Sequence, residues 1–253
     1  MYGIRGIRQD LASSLNRKLF YEVKGLFMCF SATASFTTAL VLVPVGAYCV
    51  RKAARLEKAY WLFALIPLMF GIQQFFEGIV WLGLAADNSM AILIAGRGFI
   101  FFSHLFWLVW IPLCCYAVED SATKRSLYFF LAILGTVHGL LMYVPLLINE
   151  DWLIVKISDY SIKYKLTLFH EETLPLKIRN LIYGIVVLVP LLSSSDRYIR
   201  VFGAMIVFSL VITSLLFDHV FVSVWCFFAA VLSFYILIMI VRKVMITEVK
   251  YMK

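Results

Sequence analysis

Charged residues are scarce in this chain. They make up 15% of its 253 residues, whereas apolar residues make up 63%. The mean hydropathy is +0.92. A soluble domain of this length cannot bury so much apolar surface in one core. Internal repeats and low-complexity tracts are also missing, and nothing indicates a second domain. The composition predicts an integral membrane protein.

The usual sequence patterns of a metal site are missing too. No HxxxH, HExxH or Cys-x-x-Cys spacing is present. The seven-helix zinc hydrolases similar to alkaline ceramidases use an HxxxH pair with a Ser-x-x-x-His, whereas Ser103 and His104 are adjacent here. That resemblance is therefore not supported, and the sequence assigns no metal ligands, no cofactor and no catalytic residues.

Seven apolar stretches are long enough to cross a bilayer, since a hydrocarbon core of about 30 Å needs about 20 helical residues. The fifth is the weakest, because it is short and contains Pro190. Backbone polar groups must be satisfied inside the membrane, which favours helices. We predict an all-α fold, a polytopic single bundle of about seven transmembrane helices. The spans are residues 32–50, 59–85, 90–118, 127–148, 178–192, 199–217 and 220–241.

The one sizeable loop covers residues 149–177. Apolar and polar residues partly alternate over residues 153–166, and this period favours a short extended hairpin or a strip lying over the bundle. A solvated connector is the alternative.

Lys and Arg gather on one side of the predicted bundle. Short cytoplasmic loops collect these residues, so the pattern predicts an outer amino terminus and a cytoplasmic carboxyl terminus. The net charge of +8 then reflects topology and contact with anionic lipids of the bilayer, and it argues against nucleic-acid binding. The basic residues on the predicted cytoplasmic side are Arg51, Lys52, Arg55, Lys58, Lys124, Arg125, Arg197, Arg200, Arg242, Lys243, Lys250 and Lys253.

Residues 1–27 contradict this orientation, because they hold five basic residues on the predicted outer side: Arg5, Arg8, Arg17, Lys18 and Lys24. Either this extension is an amphipathic helix on the membrane surface, or translation begins at Met28. We favour the second explanation, which removes the conflict. The predicted organisation is a basic extension at 1–27 and a transmembrane domain at 28–253.

Three stretches resemble an uncharacterised family of bacterial multi-pass membrane proteins. Residues 28–36, Met-Cys-Phe-Ser-Ala-Thr-Ala-Ser-Phe, are similar to the opening of that family, and residues 70–81 and 223–230 are similar to two later segments. The resemblance implies a start at Met28 and a location in the bacterial inner membrane. It implies no activity.

Glu77 and Arg97 are ionisable residues inside predicted spans, where each costs about 2.5–3.5 kcal/mol on insertion scales. They are about equally far from the turn near Asp87, one on each arm of a helical hairpin. We expect them to meet as a buried ion pair, or else to anchor a ligand. Gln73 is one turn from Glu77 and extends its polar strip, whereas Gln74 is offset by about 100°.

Three of the four histidines lie in or next to predicted spans, and the fourth, His170, is in the long loop. His104 and His138 are at the middle of the third and fourth spans, and Asp218 and His219 form the outer turn between the sixth and seventh. A lone histidine on an apolar helix is usually a packing residue, but two on sequential helices suggest a metal or ligand site if a third helix converges on them. Gly135 and Gly139 flank His138 in a GxxxG pattern, which predicts close helix packing.

Cys29 and Ser31 are candidates at the start of the first span. If Met28 is the first residue and is removed, Cys29 carries both an amine and a thiol, an arrangement that serves as a nucleophile with its own base. Ser31 opens a hydroxyl-rich turn that either packs helices or lines a polar cavity.

The function predicted from these residues is binding or transport at a polar site in the outer half of the bundle. Its ligand would be a small polar solute, a lipid headgroup or a metal. A structural or assembly role and a membrane-embedded enzyme acting on lipid are the alternatives. The sequence does not indicate an oligomeric state.

Overall fold

The computed structural model describes residues 31–54, 60–158, 161–167, 175–216 and 220–251. Within these ranges the chain forms seven helices and one two-stranded β-hairpin, which confirms the predicted all-α bundle. The helices are α1 (Ala32–Ala53), α2 (Tyr60–Ala85), α3 (Ser89–Val118), α4 (Ala122–Ile148), α5 (Leu176–Ser193), α6 (Arg197–Leu216) and α7, whose two segments are Phe221–Leu232 and Phe234–Tyr251. The strands are β1 (Leu153–Ser158) and β2 (Ser161–Leu166).

Three helices are locally irregular. α2 is interrupted at Leu65, just before Pro67, which has no N–H to continue the helical ladder. α3 contains a π turn at Phe102–Phe106, and α7 bends at Ser233. Between α2 and α3, Asp87 has a positive φ of 50°, and the Asn88 side chain accepts a hydrogen bond from the Ala91 N–H at 3.0 Å. The predicted turn near Asp87 is confirmed.

The surface of the bundle is apolar, whereas several polar side chains are buried. Leu40, Phe208 and Leu215 are 75%, 68% and 78% exposed. In the part of the chain that the structure describes, six helices are long and apolar enough to cross a membrane, and α5, predicted to be the weakest span, is not among them. The chain is an integral membrane protein.

The β-hairpin covers one end of the bundle, which we call the hairpin end. It pairs antiparallel with Val155 opposite Tyr164, so these two side chains point to the same face. The Tyr164 ring stacks on Phe99 of α3, with centroids 4.7 Å apart. Gly96 leaves room for the hairpin, since a Cβ there would lie 3.3 Å from Leu153. The hairpin alternative for residues 153–166 is confirmed, and the solvated connector is wrong.

The opposite end, which we call the basic end, is held by buried and half-buried polar contacts. Lys243 of α7 lies 2.6 Å from the Asp196 carboxylate, and the Tyr60 hydroxyl donates to the same oxygen at 2.9 Å. Glu119, after α3, accepts hydrogen bonds from the Ser195 N–H at 2.9 Å and the Ser195 hydroxyl at 2.6 Å. These contacts fix the loop between α5 and α6 against α2, α3 and α7.

Glycines allow α4 to contact α3 closely. A Cβ on Gly135 would collide with the backbone carbonyl of Leu108, and one on Gly139 would lie 3.0 Å from the His104 carbonyl oxygen. The predicted role of the GxxxG pattern in close packing is confirmed. A Cβ on Gly135 would also lie 2.9 Å from a methyl carbon of Val186, so α5 packs against α4 at the level of Gly135.

We expect Gly135→Ala to destabilise the protein by about 1–3 kcal/mol, because the new methyl group meets rigid backbone. Gly184→Ala is the matched control, since nothing lies within 4 Å of a Cβ there. That control should be neutral or stabilising by up to about 1 kcal/mol, because alanine has the higher helix propensity. Thermal unfolding in detergent measures both, and equal melting temperatures would contradict the packing assignment.

The stability of the basic end should depend on pH through Glu119. Burial acts to raise the pKa of this carboxyl, but hydrogen bonds from Ser195 and from the Ser121 N–H outweigh it and lower the pKa below the usual 4.5. A lowered folded-state pKa contributes stability above the unfolded value, and this stability is lost as the pH falls below about 4.5. We expect Glu119→Gln to cost about 1.5–3 kcal/mol at neutral pH and to flatten the acid side of the stability profile.

The control for this experiment is Asp120→Asn, because Asp120 is the exposed neighbour. Melting temperatures between pH 3 and pH 7 should show the wild type approaching Glu119→Gln as the pH falls, and the Asp120 variant following the wild type. A constant difference between wild type and Glu119→Gln across this range would contradict the role assigned to Glu119.

Candidate functional site

A buried carboxyl group is the centre of the polar residues near the hairpin end. Glu77 lies on α2 and is 2% exposed. It accepts a hydrogen bond from the Ser223 hydroxyl of α7 and another from the Gln74 side-chain amide at 3.1 Å. The first bond joins residues 146 positions apart in the chain. We call Gln73, Gln74, Glu77 and Ser223 the Glu77 cluster.

The predicted Glu77–Arg97 ion pair is wrong. Arg97 instead approaches Glu150, with 4.0 Å between the charged atoms. The two residues lie at similar depth on the α2–α3 hairpin, but the side chains that meet between these helices are their neighbours: a Cβ on Gly98 would touch the Phe76 ring. One residue along a helix turns the side chain by about 100°. Glu77 and Arg97 therefore leave the α2–α3 interface in other directions.

The two glutamines lie differently from the faces predicted for them. Gln74, which we placed on another face, donates to Glu77 three residues later. Gln73, predicted to extend the Glu77 strip, accepts a hydrogen bond at 2.8 Å from the indole N–H of Trp107 on α3. Both glutamines are 0% exposed. The cluster thus links α2 to α3 and α7 through side chains alone.

Several polar atoms in and around the Glu77 cluster have no hydrogen-bond partner among the described residues. They are the Gln74 Oε1, the hydroxyl of Tyr164, and the Gln73 Nε2, which has only the Cys226 thiol, a weak acceptor, beside it. Burial raises the pKa of Tyr164 well above its usual value, with Glu77 and Cys226 acting in the same direction, so its hydroxyl stays neutral and able to donate. An unsatisfied buried group costs about 1–3 kcal/mol. This set offers two donors and two acceptors beside a carboxyl group.

The two membrane histidines form a separate group, on α3 and α4. His104 lies in the π turn of α3, and its Nδ1 is 2.8 Å from the Ser103 hydroxyl. π turns within α-helices are frequent at functional sites. His138 is 5% exposed and interacts electrostatically with His104, as does Arg179 from the first turn of α5. We call His104, His138 and Arg179 the His–Arg cluster.

The remaining predicted site residues do not join these clusters within the described structure. Ser31 caps α1, because its hydroxyl accepts a hydrogen bond from the Ala34 N–H at 3.2 Å. Cys29, Asp218 and His219 lie outside the described residues. Across the ranges that are described, no group of three or more His, Cys, Asp or Glu side chains is arranged to hold a metal ion.

Two open clefts lie away from both clusters. One of about 330 Å³ is at the basic end and is lined by Tyr116, Asp120 and Arg125 among others. The other, of about 300 Å³, is an apolar groove between α2 and α3 that includes Phe76 and Ile94. Neither contains Glu77 or His104 in its lining. The chemistry of the bundle is therefore concentrated in buried side chains and not in these surface clefts.

Sequence reasoning missed four residues in or next to these clusters: Ser223, Trp107, Tyr164 and Arg179. Arg179 carried a signal, since it is a charged residue inside the predicted fifth span. Ser223 lies in the segment at 223–230 that resembles the family. Trp107 and Tyr164 carried no distinguishing signal, because an aromatic residue in a span or an alternating strand is usually a packing residue.

A family model described as a family of unknown function (DUF6629) matches residues 28–250. The chain belongs to this family, and the predicted resemblance to an uncharacterised family is confirmed. No curated protein and no solved structure matches the chain significantly. The start of translation at Met28 stays a prediction.

The Trp107–Gln73 hydrogen bond provides a test of the Glu77 cluster. We expect Trp107→Phe to cost about 1–3 kcal/mol, because it leaves the Gln73 carbonyl oxygen buried without a donor. Trp225→Phe is the matched control, since the Trp225 indole N–H is buried without a partner. Its replacement removes no hydrogen bond, so it should cost less. Thermal unfolding compares them, and an equal loss in both variants would show that ring packing alone matters.

Proposed function

We propose that this member of the family of unknown function binds a small polar solute at the Glu77 cluster. The observation that carries the proposal is the set of unsatisfied atoms around Glu77: the Gln73 Nε2, the Gln74 Oε1 and the Tyr164 hydroxyl. Such atoms are rare in protein interiors, and in the bilayer core water does not compensate them. A ligand that both donates and accepts hydrogen bonds would satisfy all three.

The hairpin gives this site its boundary. Tyr164 is placed by its stacking on Phe99, and its hydroxyl interacts electrostatically with the Glu77 carboxyl group. Ile162 of the same strand is 0% exposed and packs with Val80 of α2 and Ala95 of α3. Strand β2 would therefore lie between a solute bound at Glu77 and the solvent outside the hairpin end.

We propose the predicted orientation for the protein, with the hairpin end outside and the basic end in the cytoplasm. The distribution of Lys and Arg supports it, since Arg51, Lys52, Lys124, Arg125 and Arg200 all lie at the basic end. The resemblance of residues 28–36 to a bacterial family supports the inner membrane as its location. The Glu77 cluster would then lie at the depth of the outer half of the bilayer.

A structural role is the second candidate, and one observation favours it. Glu77 already accepts two internal hydrogen bonds, and the bond from Ser223 connects α2 with α7. Interhelical hydrogen bonds in membranes contribute about 0.6–2 kcal/mol each. In this alternative the cluster holds the helices together, and no solute enters it. The alternative of an enzyme that uses Cys29 stays a prediction, because Cys29 lies outside the described residues.

Native mass spectrometry of the protein, extracted gently together with its lipids, tests the proposal. We expect the wild type to retain a small molecule in stoichiometric amount. Glu77→Gln should lose it while remaining folded, because the amide presents an N–H where the carboxyl group accepts.

The control is Thr213→Val, which removes a buried hydroxyl that bonds within its own helix, to the Ser209 carbonyl at 2.8 Å. It should keep the bound molecule. An apo mass for the wild type, together with a lower melting temperature for Glu77→Gln, would favour the structural role instead.

A further inference from the structure

Arg179 is the least expected charge in the bundle. The residue is 7% exposed, and its Nε and Nη1 have no hydrogen-bond partner among the described residues. No described carboxylate forms an ion pair with it either. A buried guanidinium without a counter-charge is strongly unfavourable in an apolar environment, so such a group usually pairs with an anion.

Among the described residues, those near Arg179 supply a further donor and no negative charge. Both His104 and His138 belong to the same electrostatic group as Arg179. The Ser103 hydroxyl is 2.8 Å from the His104 Nδ1 and 3.4 Å from the Ile100 carbonyl oxygen, so it either donates to the ring or accepts from it while donating to Ile100. A ring that accepts at Nδ1 carries its proton on Nε2, which leaves Nε2–H as a donor.

Three helices converge at this point. Gly135 and Gly139 bring α4 against the Leu108 and His104 carbonyls of α3, and Val186 of α5 lies beside Gly135. The convergence of a third helix was the condition for a metal site at the two histidines. The third helix contributes an arginine, which repels a metal cation and attracts an anion.

We propose that the His–Arg cluster is a binding site for a phosphate-type oxyanion. The guanidinium provides two N–H donors at Nε and Nη1, and the Nε2–H of His104 adds a donor from α3. A tetrahedral oxyanion has enough oxygen atoms to accept from all of them, and arginine is the preferred residue for phosphate. This site is distinct from the Glu77 cluster, which lies on α2 and α7. The phosphate belongs either to a free anion or to a lipid headgroup.

Two probes distinguish these sources. Purified full-length protein in neutral detergent is titrated with inorganic phosphate, and the melting temperature is followed. The same protein is reconstituted in nanodiscs of phosphatidylcholine with or without phosphatidylglycerol, and retained lipid is measured by native mass spectrometry. Stabilisation by inorganic phosphate identifies a free anion, whereas selective retention of phosphatidylglycerol identifies a headgroup.

We expect Arg179→Gln to weaken binding of the effective probe about tenfold or more, and Arg179→Lys to restore part of the affinity. His104→Gln provides the test if Arg179→Gln does not fold, and it should also weaken binding. Arg200→Gln is the matched control, because the Arg200 guanidinium donates to the Ser194 and Ser195 carbonyls at the basic end. Glu77→Gln should bind the probe like the wild type, which separates this proposal from the solute site.

Three results would overturn the proposal. One is that neither probe binds the wild type. Another is that Arg179→Gln and Arg200→Gln bind with the same affinity as the wild type. The last is that the double variant Glu171→Gln/Glu172→Gln destabilises the protein as much as Arg179→Gln, and that phosphate has no effect on any of them. The partner of Arg179 would then be a carboxylate of this chain.

Discussion

The hydrogen bond from Ser223 to Glu77 is the contact on which the hairpin half of the bundle depends. It joins α2 to α7 across 146 residues of chain. A membrane interior supplies no water to replace such a partner, so a polar side chain there is satisfied by another helix or by a ligand. Neighbouring turns add two further hydrogen bonds of this kind, from Gln74 to Glu77 and from Trp107 to Gln73. The cluster orders the helices by polar pairing, since apolar faces pack almost equally well against lipid.

The two clusters differ in the charge of their ionisable groups. The Glu77 cluster contains one carboxyl group among neutral amides and a hydroxyl, whereas the His–Arg cluster contains a guanidinium and two imidazoles. They lie on different helices, and the acidic and basic groups do not neutralise each other as an ion pair. Each cluster therefore buries an ionisable group that receives no counter-charge from the other cluster.

Local patterns predicted much of the fold. The apolar runs predicted the helices, the Asp87 turn followed from their break, and the alternation over 153–166 predicted β1 and β2. Pairings between distant residues were a different matter. Glu77 and Arg97 have the same depth but different faces, and depth alone is visible in a sequence. Ser223 lies against Glu77, and Arg179 lies near His104, only because of the order of helices around the bundle, which periodicity does not encode. Arg179 was visible in the sequence as a charged residue inside the predicted fifth span, but the apolar residues around it dominate the hydropathy of that segment.

The π turn at Phe102–Phe106 affects how the sequences of relatives should be aligned. A π turn holds one residue more than an α-helical turn, so the segments before and after it are out of phase by about 100°. Deleting one residue there would restore a regular helix but would rotate Trp107 and Leu108 away from their partners. A one-residue gap inside a transmembrane helix normally signals a misalignment. At this position, the same gap between relatives would record the gain or loss of the turn that presents His104.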